Sequence, residues 1–475
     1  MSAIVGATTS RRSFLVGAAG LLATVRLPRA SADSPKPARQ FTLTAAKGRA
    51  SLVGKAHPET DVWCYDGGVP GPLIRARQGE PIRIVVENSL GEDTTVHWHG
   101  IRLPIAMDGV PGISQPPIAS GQHFTYEFTA PDAGTFWYHP HADSLQQLGR
   151  GMAGAFIVDE PQPIAVDRDV LWMLTDWRLT AEAQIASGFG NSMDAAMSGR
   201  VGNTVTVNGV VSDEEPVRAG ERIRLRLVNS SLARIMVLRF EGHRPLIIAI
   251  DGQPCDPHEP DGGRLLLGPA MRVDFVLDML GEPGGRYRVV DDFYDGLAYW
   301  LTKLAYDDKP PLRAHSLDPP LALPRNPLPE PDLTTAQRHE LRLQGGMMGG
   351  GAMAGMGGVS DMSHAIWAIN GSSMTGDGQT GMAPLLTLQL GRSYVLTLRN
   401  DTAWWHPMHL HGHSFRVLSR NGQSVPFWQW ADTVFVPPKE AVDIAFVADN
   451  PGDWMLHCHV TDHQVSGMMA VLRIA

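Results

Sequence analysis

Three stretches of the chain repeat one alternation of apolar and polar positions: Gly79–Asn88 (GEPIRIVVEN), Gly220–Asn229 (GERIRLRLVN) and Gly391–Asn400 (GRSYVLTLRN). In each, nine positions separate the glycine from the asparagine, with β-branched or leucyl residues alternating between them. A period of two puts alternate side chains on one face, so each stretch predicts a strand entered from a glycine-marked turn. Upstream of each lies a second turn signal, at Tyr65-Asp66-Gly67, Val207-Asn208-Gly209 and Ile369-Asn370-Gly371. A pattern met three times along one chain predicts three similar all-β domains.

Other stretches depart from this pattern. Residues 307–333 are rich in proline and poor in periodicity, which marks a linker. Residues 347–382 hold seven methionines among many glycines (Met347, Met348, Met353, Met356, Met362, Met374 and Met382) and read as a surface loop that cannot bury a regular core. At the N-terminus, Arg11-Arg12-Ser13 precedes an apolar run from Phe14 to Val25, and Ala30-Ser31-Ala32 supplies small residues for cleavage. Residues 1–32 therefore read as a twin-arginine signal peptide. The apolar run is too short to cross a bilayer, which takes about 20 residues. The expected domains are 33–160, 161–306 and 341–475, with 307–340 as the linker.

Composition adds a restriction on partners. At 475 residues, 43% hydrophobic and 19% charged, the chain is ordinary globular material. Its formal charge is −9, and removing residues 1–32 with their four arginines and no acids takes it to −13. An acidic surface argues against nucleic acid and anionic membranes as partners. Of the three cysteines, Cys64 and Cys255 fall in different repeats and are expected as unpaired core thiols.

Ten histidines and Cys458 fall in four clusters: His97-Trp98-His99-Gly100, His139-Pro140-His141, His406-Pro407-Met408-His409-Leu410-His411-Gly412, and His457-Cys458-His459 followed by His463 and Met468. In a strand, His-x-His sets two imidazoles side by side and turns Cys458 to the other face, so one strand can serve two metal sites. Imidazole suits copper, and two histidines with a thiolate and a weak methionine make a blue-copper set. Nine, eleven and twelve residues past the repeat asparagines come His97, His99 and Gly100, then Leu238, Phe240 and Glu241, then His409, His411 and Gly412. A later glycine is followed, at five and seven residues, by His139 and His141, by Val290 and Asp292, and by His457 and His459. The middle repeat keeps the frame without the ligands and reads as a spacer. Cys458 has Pro140 as its counterpart, and His406 has Thr94, so the thiolate site belongs to the third domain alone. The other eight histidines, four from each end domain, most economically meet at a shared interface.

These clusters closely resemble the copper motifs of three-domain multicopper oxidases, the family of laccases and bacterial cuprous oxidases, over nearly the whole mature chain. The resemblance implies three tandem cupredoxin-like Greek-key β-barrel or sandwich domains and four copper ions. His406, Cys458, His463 and Met468 would bind type 1 copper, His97 and His409 type 2 copper, and His99, His139, His141, His411, His457 and His459 the type 3 pair. Cys458 would carry electrons to its neighbouring histidines, and Asp108, in Met107-Asp108-Gly109, would feed protons to the reduction of O2. A family carboxylate after the last type 1 histidine is Gln464 here, with Asp462 as a possible substitute. An axial methionine implies a modest type 1 potential. His413 is expected outside the ligand set, and His57, His123, His243, His258, His315, His339 and His364 have no partner at ligand spacing.

The electron donor is open between Cu(I) or other metal ions, which the methionine-rich segment would suit, and phenols or aromatic amines. Trp404-Trp405 and Phe427-Trp428-Gln429-Trp430 would either line a donor site or pack as core. Two other classes, a periplasmic copper-storage protein and a copper-free relative, fit the complete ligand set less well. A periplasmic or secreted monomer, exported by the twin-arginine machinery and spanning no membrane, is expected.

Overall fold

The computed structural model describes residues 38–313, 318, 322–347, 366–378 and 381–475. The signal-peptide reading of residues 1–32, His315, His364, and Met348, Met353, Met356 and Met362 all lie outside the described residues.

Described residues are almost entirely strand and loop, as expected of an all-β chain; the helices Ser144–Gly149, Ser192–Ala196 and Thr461–Val465 are single turns. Residues 39–159 form two four-stranded sheets, residues 168–306 a six- and a five-stranded sheet, and residues 337–474 a seven- and a five-stranded sheet with a short two-stranded ribbon. Residues 38–475 pack as one unit. Each predicted repeat strand forms, as Pro81–Asn88, Arg222–Asn229 and Ser393–Asn400. Each turn signal is a tight turn whose two central residues have positive φ, at Asp66-Gly67, Asn208-Gly209 and Asn370-Gly371. Asparagine, aspartate and glycine tolerate that conformation best.

The repeat asparagine closes each strand with the same bracket. Asn88 Nδ2 donates to the carbonyls of Glu92 and Ile118, Asn229 Nδ2 to those of Arg234 and Leu267, and Asn400 Nδ2 to those of Trp404 and Val436, at 2.7 to 3.1 Å. Each Oδ1 accepts the backbone N–H two residues on, from Leu90, Ser231 and Thr402. The loop leading to the next strand is thereby fixed, and in the end domains that strand carries the first histidines.

The middle domain differs in two respects. Its strand Arg222–Asn229 is buried at every position, whereas Pro81–Asn88 keeps a half-exposed face. Arg224 pairs with Asp274 at 2.6 Å and Glu160 at 2.8 Å, and Arg226 with Asp169 at 2.6 Å, which neutralises the charge under the neighbouring domain. Its ligand-free pair is also offset by one: Leu238 lies opposite Asp291, not Val290. Cys64 and Cys255 are free and buried, as expected.

Replacing Asn229 by alanine strands two buried carbonyls and one N–H, and at about 1 kcal/mol or more for each unsatisfied group should lower the unfolding free energy by about 3 kcal/mol. Urea unfolding of the variant checks this, with an unchanged midpoint counting against the bracket.

Candidate metal centres

Two antiparallel pairs of strands carry the histidine clusters. In the first domain His97–His99 pairs with Gly134–His139, placing His97 opposite His139. In the third, His406–Leu410 pairs with Gly452–Cys458, placing His409 opposite His457 and Met408 opposite Cys458. The second histidines of three clusters, His141, His411 and His459, stand just past the strand ends. Ring pairing survives: His139 and His141 are 5.5 Å apart by centroid, and His457 and His459 are 5.4 Å apart. All eight of these residues are buried, and their rings converge from the two end domains.

A buried imidazole N–H needs an acceptor, and the acceptors present decide which nitrogen is left with a lone pair. His97 Nδ1 donates to the Asp108 carbonyl at 2.8 Å, His139 Nδ1 to the Pro140 carbonyl at 3.1 Å, His409 Nδ1 to the Asp432 carbonyl at 2.9 Å, and His457 Nδ1 to the Cys458 carbonyl at 3.0 Å. His411 Nδ1 donates to Asp108 Oδ2 at 2.9 Å. Each of these five rings is left with Nε2 as its free base. His99 is reversed: its Nε2 donates to Asp432 Oδ1 at 3.1 Å, leaving Nδ1. The remaining nitrogens of His97, His99, His139 and His409, and both nitrogens of His141 and His459, are buried without a hydrogen-bond partner.

The free nitrogens form groups. Ring centroids of His141, His411 and His457 lie 5.1 to 5.3 Å apart, those of His99, His139 and His459 5.0 to 5.7 Å apart, and His97 and His409 form a pair at 5.8 Å. His411 Nε2 and His457 Nε2 face each other at 3.0 Å although each ring has already committed its proton at Nδ1. Two opposed lone pairs with no proton between them are what a shared cation relieves. Burial lowers the pKa of His99, His139, His141, His457 and His459 well below the ordinary imidazole value, so their rings are neutral at neutral pH.

On the opposite face of Gly452–Cys458 lies a separate group. Cys458 Sγ is 3.4 Å from His406 Nδ1 and 3.6 Å from His463 Nδ1. Thr402 Oγ1 accepts from His406 Nε2 at 2.8 Å, and the Met197 carbonyl of the middle domain accepts from His463 Nε2 at 2.7 Å, so both rings turn Nδ1 to the sulfur. Met468 is fully buried, and its N–H donates to the His463 carbonyl while its own carbonyl accepts from Cys458. Burial pushes the Cys458 thiol well up, so metal ligation there releases a proton. Two imidazoles with a thiolate, and eight imidazoles with unclaimed lone pairs, fit copper.

Two aspartates stand behind the histidines. Burial would raise the Asp108 carboxyl, but the His411 and His97 rings outweigh it and hold it well below the usual carboxylate range. Asp432 is held low in the same way, its burial outweighed first by the Arg272 guanidinium, while burial and the Asp432 charge raise neighbouring Asp251 to about 7. The spacing of histidines identified neither Asp432 nor Arg272, Thr402 or the Met197 carbonyl. Trp367 was missed as well: its ring lies 4.2 Å from His463 and 5.1 Å from His406.

The remaining residues singled out in the sequence take other places. His413 donates from Nδ1 to the His411 carbonyl and accepts from Asn450 N–H at Nε2, so it has no free nitrogen and steadies the backbone of a neighbour. Gln464 Nε2 donates to Asp377 Oδ1 at 3.3 Å, and Asp462 Oδ2 accepts from Arg200 N–H at 2.7 Å. Trp405 packs on Phe293 and Phe435, Trp430 is buried, Trp428 lies under Arg325, and Phe427 stacks on His258. Trp404 Nε1 donates to the Met347 carbonyl at 2.9 Å, which ties the start of the methionine-rich segment beside His406.

Three segments, residues 46–163, 168–299 and 359–475, match family models described as multicopper oxidase. The chain is 31% identical to multicopper oxidase MmcO of Mycobacterium tuberculosis over 95% of its own length and 90% of that protein's. It is 26% identical to copper resistance protein A of Escherichia coli, over 98% of this chain and 99% of that protein. A crystal structure of a multi-copper oxidase from Pseudomonas thermotolerans superposes with a TM-score of 0.82 at 34% identity, covering 92% of this chain and 100% of that one.

Burial lowers His411 and His463 to about 3 and His413 to about 4, against about 6.5 in an unfolded chain. Between those values the unfolded chain binds more protons, so stability is lost as pH falls below about 6.5. From pH 6.5 to 5 each of these histidines should cost the metal-free protein about 2 kcal/mol. Unfolding melts of the metal-free chain across that range check it, and equal midpoints at both ends would contradict it.

Proposed function

The chain belongs to the multicopper oxidase family, and from that premise we propose that it couples four one-electron oxidations of a donor at a type 1 copper to reduction of O2 to water at a trinuclear copper cluster. The observation that carries this reading is the division of the ligands: eight buried imidazoles at a two-domain interface, six with unpartnered nitrogens and two facing each other through Nε2, and one thiol flanked in the chain by two of the eight. We assign His406, Cys458, His463 and Met468 to type 1 copper, His97 and His409 to type 2, and His99, His139, His141, His411, His457 and His459 to the type 3 pair. Bound copper supplies one-electron redox chemistry at the thiolate site and dioxygen binding and reduction at the cluster.

The protein's own residues then perform definable tasks. Cys458 links the two sites covalently, and its carbonyl accepts from His457 Nδ1, which adds a second connection between sulfur and imidazole. The carbonyls behind His97, His139, His409, His457 and His463 keep those rings aimed inward without a charge of their own. Asp108 is a fully buried carboxylate that touches one histidine from each end domain, so it is placed to pass protons on during reduction. Trp367 covers the two type 1 histidines.

A role in copper tolerance with Cu(I) as a donor is supported by the likeness to copper resistance protein A and by the methionine-rich segment anchored beside His406 through Met347. Phenols and aromatic amines are the competing donors. Export to the periplasm rests on the Arg11-Arg12 segment, and no helix among the described residues is long and apolar enough to cross a membrane.

Oxygen uptake by the copper-loaded protein with Cu(I), Fe(II) and a dimethoxyphenol ranks the donors. Deleting residues 348–358 should lower Cu(I) turnover and spare the phenol; undiminished Cu(I) turnover removes the segment from the reading. Asp108→Asn keeps the side-chain shape and removes the acid, so oxygen reduction should slow by about 100-fold, the order of a lost acid–base group, with the blue band bleached in steady state. A blue band that stays oxidised during turnover would place the defect elsewhere.

A further inference from the structure

Asp108 and Asp432 brace four of the eight imidazoles in matching ways. The Asp108 carbonyl accepts from His97 and its carboxylate from His411; the Asp432 carbonyl accepts from His409 and its carboxylate from His99. Each aspartate therefore serves one stacked pair of rings, His97 on His411 at 3.9 Å and His99 on His409 at 3.7 Å, and each pair takes one ring from each end domain. What holds the two aspartates differs. Asp432 is gripped by both prongs of Arg272, Nη1 at 2.8 Å and Nη2 at 2.5 Å, and Arg272 belongs to the middle domain. Arg272 is fully buried, and its Nε donates to the Thr135 carbonyl of the first domain at 3.2 Å. Its backbone N–H donates to Asp251 Oδ1 at 2.9 Å, while Asp251 Oδ2 accepts from Thr433 N–H at 3.0 Å.

An independent feature points to the same spot. A side chain at Gly100 would collide with Arg272 Nη2 and Asp432 Oδ2. The glycine that closes His-Trp-His-Gly thus leaves room for the ion pair, so the first domain's own metal motif is shaped around an arginine from the second and an aspartate from the third.

We propose that Arg272 is a positioning residue of the trinuclear cluster: by fixing Asp432 it makes His99, a type 3 ligand, present Nδ1 and His409, a type 2 ligand, present Nε2, so the domain without ligands governs one ligand of each. The inference rests on the trinuclear reading given above. A bidentate guanidinium holds a carboxylate in one plane, which a lysine cannot do.

The test compares copper-loaded wild type, Arg272→Met and Arg272→Lys by copper-to-protein ratio after challenge with a chelator, by the type 2 electron paramagnetic resonance signal, and by the blue band. Loss of a partner behind a ligand weakens metal retention by about 10- to 100-fold. Arg272→Met should therefore lose its type 2 signal under chelator concentrations that wild type withstands, while the blue band of the remote Cys458 site persists. Arg272→Lys should retain type 2 copper between the two, with an altered spectrum. Wild-type retention and spectrum in Arg272→Met overturn the proposal. If that variant lacks the blue band through misfolding, the lysine variant decides, and an unchanged type 2 spectrum and retention there overturn it equally. A copper-loaded wild type with no type 2 signal would sink the trinuclear reading itself, and the proposal with it.

Discussion

An imidazole has two nitrogens and, when neutral, one proton, and a buried N–H must be given an acceptor. The metal chemistry of this protein depends on that constraint. The carbonyls of Asp108, Pro140, Asp432, Cys458 and Met197, the Thr402 hydroxyl and the Asp108 and Asp432 carboxylates each accept the N–H of one ring and leave its other nitrogen bare. Most of these acceptors are backbone atoms, so the tautomers are set by where the chain runs. The strands, the asparagine brackets and the left-handed turns matter to function because they decide where those carbonyls point.

That dependence also explains what could be read from the sequence. The histidine clusters were legible because a ligand needs a particular side chain at a strand-determined spacing, and the empty middle repeat was legible because Leu238 and Phe240 stand at ligand offsets. The repeat strands and their turns were legible from alternation and from Asp-Gly and Asn-Gly pairs. A backbone carbonyl has no side-chain signature, so nothing in the letters marks Pro140 or Met197 as an acceptor. Asp432 and Arg272 were hidden for another reason: they lie 160 positions apart and meet only when the domains pack. The arginines of Arg222–Asn229 follow a strand pattern, yet that pattern does not tell that a neighbouring domain covers them.

The middle domain emerges as more than a spacer. Its Met197 carbonyl orients His463, its Arg272 holds Asp432, and its buried Arg224 and Arg226 salt bridges fix the strand paired with that of Arg272. Buried ion pairs of this kind add little net stability, because desolvation offsets attraction. Their effect here is geometric, tying the middle domain to the end of the first through Glu160.

The order of ligands along the chain carries a consequence for biosynthesis. His97 to His141 emerge early and His406 to Met468 last, with the brace at Arg272 between them. A chain that ends before the third domain lacks half of the eight imidazoles and the Asp432 carboxylate behind His99, although His97 and His139 already find their acceptors within the first domain. The full set of eight imidazoles therefore comes together only once the chain is finished and its domains have docked.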